Sequence, residues 1–321
     1  MGRRPEVSVI IPTYRRQAGL RRLLSSLAAQ GPGAPRFEVI VVDDRSGEDL
    51  EPLIEGFRDR LEVRWMTSAV KGRPGARNTG AADARGGILW FLDDDMEVVA
   101  GAIKEHCRTL AGGCRVSIGA IESSSKSKSL WNALDDSRFD LHREQTAGAP
   151  DGPPFTAFFT GNLAISREAF RELGGFDQET FSFYAGEDFD LGLRSQRAGI
   201  RATYSLNALA YHRDEKIGYG RYLARCRWSA VSMAVFIRKH PYVLASHPFL
   251  VEIESGPWRN NSDRHWFKRL IVYYFMLPPV TELFLALSQC IWLCGINSLA
   301  LKIASYGKRI YFNRHFNIAF R

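Results

Sequence analysis

The chain has 321 residues, 45% of them hydrophobic, with 43 Lys and Arg against 35 Asp and Glu for a formal charge of +8. That length and apolar content suffice for one large core or two and exclude a disordered tail, while the positive balance suits an anionic ligand, an acidic membrane surface or nucleic acid. The five cysteines, an odd number with no zinc-like pair of pairs, read as reduced cytosolic thiols, and Cys290 and Cys294 share a helical face as apolar filler.

At the N-terminus, Met1-Gly-Arg-Arg-Pro5 runs directly into the strand-like Val7–Ile11 without the longer apolar stretch and cleavage site of a signal peptide, so export is not expected. Ala18–Gln30 reads as a helix, with Leu20, Leu23, Leu24 and Leu27 on one face, and Glu38–Val42 as a second strand. A helix over Asp49–Asp59, a strand over Leu61–Met66, a helix over Gly75–Ala84 and a buried strand over Ile88–Leu92 continue the pattern. This alternation predicts an α/β fold with a mostly parallel sheet flanked by helices and a ligand site at the carboxyl ends of its strands. No internal repeat is visible at periods of about 20 to 50 residues.

The unusual polar residues fall at those strand ends. Pro12, Thr13, Tyr14 and Arg15 follow the first strand, Asp43, Asp44, Arg45 and Ser46 the second, and Asp93, Asp94 and Asp95 the fourth. Three adjacent carboxylates raise one another's pKa values unless a cation neutralises them, and carboxylates are preferred ligands of Mg²⁺ and Mn²⁺. A lone Asp run also suits a solvated turn, and Asp43 to Ser46 alone suits a helix cap. Between the third and fourth strands, Lys71 to Gly80 combines Gly72 and Gly75 with Lys71, Arg73 and Arg77, and a helix starting near Pro74 aims its amides at an anion. It is not a P-loop.

Polar stretches at Ser123–Ser129 and Thr146–Pro154 read as loops flanking a helix near Leu130–Arg143. A helix then spans Arg167–Leu173, and Glu187 and Asp188 open another that carries Leu191 and Leu193. The positive end of a helix favours ionised carboxylates, the state a base needs. Read without a ligand, the same acids are favourable residues for a first turn.

Seven segments now stand in order: Val9-Ile-Ile-Pro-Thr-Tyr14, Val41-Val-Asp-Asp-Arg-Ser46, Gly75-Ala-Arg-Asn-Thr-Gly80, Leu92-Asp-Asp-Asp95, Thr160-Gly-Asn162, Gly174-Gly-Phe-Asp177 and Glu187-Asp188. On these the chain resembles the family 2 glycosyltransferases, inverting enzymes of GT-A fold, over about residues 6 to 215. The resemblance implies that Thr13, Tyr14 and Asp44 hold the base and ribose of a nucleotide sugar, usually a uridine one, and that Arg73, Arg77 or both approach its diphosphate. Pro12, Arg15, Asp43, Asn78, Asp93 and Asp94 fall in the same nucleotide-binding segments. It implies Mg²⁺ or Mn²⁺ on Asp95, with Asp93 nearer the ribose and His212 as a further metal or diphosphate ligand. The general base it implies is Asp188, beside Glu187, with Thr160, Gly161 and Asn162 near the sugars. Asp94 occupies the middle of the Asp-x-Asp motif, where the family often has a small or uncharged residue, so Asp93 with Asp95 and Asp94 with Asp95 both remain open as the ligating pair.

An inverting displacement needs a base and an electrophilic clamp on opposite sides of the sugar, and Asp188 and the triple Asp supply those two sides. Expected partners are a nucleotide-sugar donor and a glycan, lipid-linked or small-molecule hydroxyl acceptor of cell-envelope or glycoconjugate biosynthesis; no motif points to nucleic acid. A silent nucleotide- or sugar-binding module and a metal-dependent nucleotidyltransferase are the alternatives, and the second leaves Asp188 without a role.

A catalytic domain over 1–215 and a helical region over 216–321 are expected. In the latter, Arg221, Arg225, Arg227, Arg238 and Lys239 surround the apolar Trp228–Ile237. Leu270–Leu277 and Leu283–Ala300 are strongly apolar, broken by Pro278-Pro279 and flanked by Lys268, Arg269, Lys302, Lys308, Arg309 and Arg314. Basic residues on both flanks suit a helical hairpin on the anionic inner face of the cell membrane; a buried subdomain or homodimer contact and a spanning helix are the other readings.

Overall fold

In the computed structural model, residues 4–123, 129–146, 152–213, 218–243, 278–294 and 297–320 are described. They divide into two compact units: Met1–Ser125, Arg138–Phe183 and Glu187–Glu215 in one, Lys126–Ser137, Tyr184–Gly186 and Lys216–Arg321 in the other. Two short segments from the first two thirds of the sequence thus belong with the C-terminal helices.

The first unit is built on an eight-stranded sheet. Its elements are β1 (Val7–Thr13), α1 (Gln17–Ala28), β2 (Phe37–Asp43), α2 (Glu51–Glu55), β3 (Val63–Thr67), α3 (Arg73–Asp83), β4 (Ile88–Leu92), β5 (Met96–Val98), α4 (Ala102–Ala111) and β6 (Val116–Ser123). After α5 (Leu130–Thr146), which begins in the second unit, come β7 (Asn162–Ser166), α6 (Arg167–Glu172), α7 (Glu187–Arg197) and β8 (Ala202–His212). The strand order is β3-β2-β1-β4-β7-β6-β8-β5. β1, β2, β3 and β4 run parallel, β7 is antiparallel to both β4 and β6, β8 is parallel to β6, and β5 is antiparallel to β8.

Side chains alternate across the central strands, which is why those strands are apolar throughout. Val9, Ile11, Val39, Val41 and Trp90 pack with the leucines of α1 on one face. Ile10, Ile40, Val42, Leu89 and Phe91 pack with α3, α6 and α7 on the other. Successive strands add to one side of β1 as β2 and β3 and then to its other side as β4, and clefts at such switch points are where open α/β sheets take ligands.

Several expected boundaries shift. The helix foreseen over 49–59 is helical only at Glu51–Glu55, because Gly56 caps it and the chain continues in turns. The strand foreseen over 61–66 is Val63–Thr67. Five elements, β5, α4, β6, β7 and β8, had no sequence forecast. β5 has three residues, and β6 carries Gly119, where a Cβ would collide with the Asn162 side chain.

The second unit holds α8 (Tyr219–Lys239), α9 (Pro278–Leu293) and α10 (Asn297–Phe320). Leu130, Trp131, Tyr222, Cys226, Leu285 and Ala300 join them in one apolar cluster. The two prolines open α9, where Pro costs no hydrogen bond, and the single run foreseen over 283–300 divides between α9 and α10. Leu270–Leu277 and its flank lie outside the described residues, as do most of the two polar loops. Among the described residues no helix is long and apolar enough to cross a membrane.

Candidate active site

The carboxyl ends of β1, β2 and β4 meet through side-chain hydrogen bonds. Thr13 Oγ1, at the end of β1, donates to Asp94 Oδ2 at 2.7 Å, and the Asp44 amide donates to the Thr13 carbonyl at 2.8 Å. Both oxygens of buried Asp43 accept from the Ser46 amide, at 3.2 and 3.0 Å, closing a turn in which Arg45 sits at φ 61°. Asp44 Oδ1 accepts from the Gly72 amide at 2.6 Å, and burial raises its pKa. Gly72 has φ 105° and lies against the Ser182 backbone, so this position needs glycine twice over. The loop before α3 is thereby tied to the end of β2.

Arg77, from the first turns of α3, is buried at 1% exposure. Its Nη2 donates to Asp93 Oδ1 at 2.7 Å, its Nη1 donates to Glu187 Oε1 at 2.9 Å, and Nη1 lies 3.8 Å from Asp188 Oδ1. Burial works against this charge, but the three carboxylates more than offset it and raise the guanidinium pKa. One cation therefore bridges the end of β4 to the start of α7. Arg73, one turn earlier on the same helix, is half-exposed and 3.9 Å from Glu187.

Asp188 accepts from Thr160 Oγ1 at 2.6 Å and from the Thr160 amide at 3.3 Å. Burial, then the adjacent Glu187, push its carboxyl up to about 7 against the pull of Arg77 and Thr160. The helix N-terminus was expected to hold it ionised; desolvation outweighs that effect, which is worth at most about 2 kcal/mol.

Asp94 and Asp95 are both buried. Burial raises Asp94 to about 7 despite Thr13 and Arg16. The half-exposed Arg16, which had no sequence forecast, lies 3.0 Å by Nη1 from Asp95 Oδ2 and 3.6 Å by Nε from Asp94 Oδ1. Gly19 lets α1 approach this closely, since a Cβ there would sit 2.6 Å from the Asp94 carbonyl oxygen. β5 follows the triple Asp and pairs with the end of β8, Met96 opposite His212, which sets His212 Nε2 3.5 Å from Asp95 Oδ2.

Among the described residues, no three His, Cys, Asp or Glu side chains form a cage for a metal. Mg²⁺ and similar hard cations are commonly held by one or two carboxylates, with substrate phosphates and water completing the shell. Asp95 beside His212, with Asp93 at the same strand end, fits that mode of binding.

Two residues forecast at the ligand are committed elsewhere. Asn162 is fully buried: its amide donates to the Ala120 and Ala208 carbonyls, at 3.0 and 2.7 Å, and its oxygen accepts from Trp90 Nε1 and His106 Nε2, both at 3.0 Å. That bond fixes the proton on Nε2, so Nδ1 of His106 accepts from Ser117 at 2.8 Å, and burial lowers this ring to about 4, leaving it neutral. Asn78 donates to the Phe176 carbonyl at 2.8 Å and to Gln178 at 3.1 Å, and accepts from the Phe176 amide at 3.0 Å. It clamps the Gly174-to-Asp177 turn. Asn162 is therefore a framework residue with no hydrogen bond to spare for a sugar, and Asn78 spends both amide donors and one acceptor position on holding that turn. Gly161 packs against Met96 and Asp93, Pro12 is buried in β1, and Tyr14 and Arg15 lie exposed with the guanidinium over the ring at 5.4 Å.

Residues 8–174, just over half of the chain, match the model of glycosyl transferase family 2. The chain belongs to that family. Residues 152–215, which include Thr160, Asp188 and His212, also match a model described as the N-terminal domain of galactosyltransferase. Among curated proteins, this family 2 chain is 27% identical over 274 residues to validoxylamine A glucosyltransferase of Streptomyces hygroscopicus subsp. limoneus, covering 75% of the chain and 58% of that protein. It is 30% identical over 243 residues to pre-mycofactocin glycosyltransferase of Mycobacterium tuberculosis, covering 74% and 48%. The chain thus spans about half the length of these relatives. Among solved structures it resembles the mannosyltransferase PcManGT of Pyrobaculum calidifontis in complex with GDP-Man and Mn²⁺, with TM-score 0.60 and 19% identity, covering 96% of this chain and 86% of that one. Residues 1–349 of S. aureus TarS, in complex with UDP-GlcNAc, give 0.52 and 16%, covering 94% and 90%. These likenesses carry the fold, GT-A with C-terminal helices.

Proposed function

We propose that this chain transfers a sugar from a nucleoside-diphosphate sugar, UDP-linked, to a hydroxyl acceptor by a single inverting displacement. The observation that carries the reading is the buried Arg77, which joins Asp188 to the acidic end of β4 across one cleft. Asp188 takes the proton from the attacking hydroxyl. A base works best with a pKa near the operating pH, and its carboxyl is raised to about 7. Thr160 aims it, and Arg77 lies between it and Asp93.

On the opposite side, Tyr14 and Asp44 flank the nucleoside, and the half-exposed Arg73 meets the diphosphate, since Arg77 is occupied by carboxylates. Asp95, His212 and Asp93 would hold Mg²⁺ or Mn²⁺, which when bound stabilises negative charge on the departing diphosphate. Support comes also from the relatives, named as glycosyltransferases, and from the nucleotide sugars bound by PcManGT and TarS.

The test is a panel of nucleotide sugars with Mn²⁺, read by thermal shift for binding and by nucleoside diphosphate release for turnover. One donor is expected to stabilise the chain, because a ligand bound only by the folded state raises apparent stability. Asp188→Asn should keep that shift and lose about 10² to 10⁴-fold in turnover. Full turnover in the Asn variant would remove Asp188 from the chemistry, and no response to any donor would sink the assignment.

A further inference from the structure

The helix α9 is strongly apolar apart from Thr281, Glu282, Ser288 and Gln289, and one face of it is exposed. Leu285 and Ser288 face the cluster with α8 and α10, while Leu283, Leu287 and Leu293 are 69%, 50% and 75% exposed. Ala286, Cys290 and Cys294 are exposed between them. At about 100° per residue these six positions fall within one arc of roughly 120°, the width of a buried helical stripe. In α10, Leu299 and Lys302 are also exposed. An apolar helical stripe of this width is ordinarily covered.

We infer that this stripe docks on an anionic membrane surface, with α9 lying in the interface. Its 16 residues span about 24 Å, short of the roughly 30 Å hydrocarbon core, which excludes a crossing by this helix. Charge decides the occupant. α8, α9 and α10 together carry nine Lys and Arg and one acidic residue, Glu282. A second copy would bring a second set of the same positive charge against the first, whereas acidic headgroups neutralise it. On α8, Arg221, Arg227 and Trp228 are exposed, the residue types that anchor proteins at a headgroup layer.

The experiment is co-sedimentation of the full chain with phosphatidylcholine vesicles, with and without about 30 mol% phosphatidylglycerol, at low and high salt. Binding should be at least about tenfold stronger on the anionic vesicles and should weaken with salt. Leu283→Asp with Leu287→Asp should lower it about tenfold or more. Lys302→Glu, a change of charge at an exposed position, should lower it several-fold and leave the melting temperature unchanged. Failure to sediment with anionic vesicles, equal binding to both vesicle types, or equal binding by the parent and the double Asp variant would overturn the inference. So would a dimer in light scattering that the double variant converts to monomer. None of these readouts involves sugar transfer, so their failure would leave the proposed function standing.

Discussion

Replacing Arg77 by Met tests the central claim that one buried cation organises the cleft. The methionine keeps most of the side-chain volume and leaves Asp93, Glu187 and Asp188 without their shared countercharge. Glu187 is nearly as buried as Arg77, and removing one partner of a buried ion pair costs about 3 to 5 kcal/mol. For a unit of about 200 residues each kcal/mol moves the melting temperature about 2 to 4 °C, so a fall of about 10 °C is expected at pH 8. The sign of its pH dependence follows from the carboxylates. Without Arg77 the folded pKa of Asp188, already raised to about 7, rises further, and a raised pKa contributes stability at low pH that is lost as pH rises through it. The deficit should therefore shrink at pH 5.5, where Asp188 is protonated. Thermal melts at the two pH values read this directly, and Arg77→Lys, which keeps the charge without the fork, should fall between parent and Met. A Met variant melting within about 1 °C of the parent at both pH values would mean that Arg77 is not what holds the three carboxylates together.

Other perturbations separate framework from chemistry. Glu38 is fully buried at the opposite ends of β1 and β2; burial raises its pKa, but bonds from Ser8, Arg64 and Arg85 lower it from 4.5 to about 2. A depressed carboxyl contributes stability that is present above pH 4.5 and lost as pH falls toward 2. Glu38→Gln should therefore cost about 2 kcal/mol at pH 7, allowing for screening at half-exposed Arg85, and flatten the acid limb of urea denaturation; an unchanged acid limb would dismiss this role. In kcat/KM against pH, Asp188 as base predicts activity rising with pH through about 7, and a flat profile from pH 5 to 9 would count against it. Arg16→Gln removes a cation that competes for Asp95, so Mn²⁺ affinity measured by calorimetry without nucleotide should rise about fivefold, and a fall would show that Arg16 assists the metal instead.

The sequence made the strand ends legible, and with them the positions of Thr13, Asp43, Asp44 and the triple Asp, because period-two burial and the βαβ rhythm are local signals. It did not say what each polar side chain does there. Asn162 lies in a motif beside Thr160, yet its four hydrogen bonds come from β4, α4, β6 and β8, elements distant in sequence. His106 was missed for the same reason, since a lone histidine in an amphipathic helix carries no mark of burial. His212 reaches Asp95 only through the pairing of β5 with β8, and β5, at three residues, is too short for periodicity to reveal. The helix-terminus argument for Asp188 failed in sign because it weighed a surface effect and could not weigh desolvation.

The three aspartates, alike in sequence, have been given different physical duties by their neighbours. Asp93, the most exposed, answers to Arg77 and through it to Asp188. Asp94 is tied to Thr13, which couples the end of β1 to the end of β4 and leaves this carboxyl raised to about 7. Asp95 presents its Oδ2 to both His212 and Arg16, and Arg16, at 3.0 Å from Asp95 against 3.6 Å from Asp94, is a half-exposed cation that can be displaced. A single cluster can thus serve base, scaffold and cation at once. Asp94, buried and bonded to Thr13, is the costliest of the three to turn outward, and this favours Asp93 with Asp95 as the pair that meets a metal-bound donor.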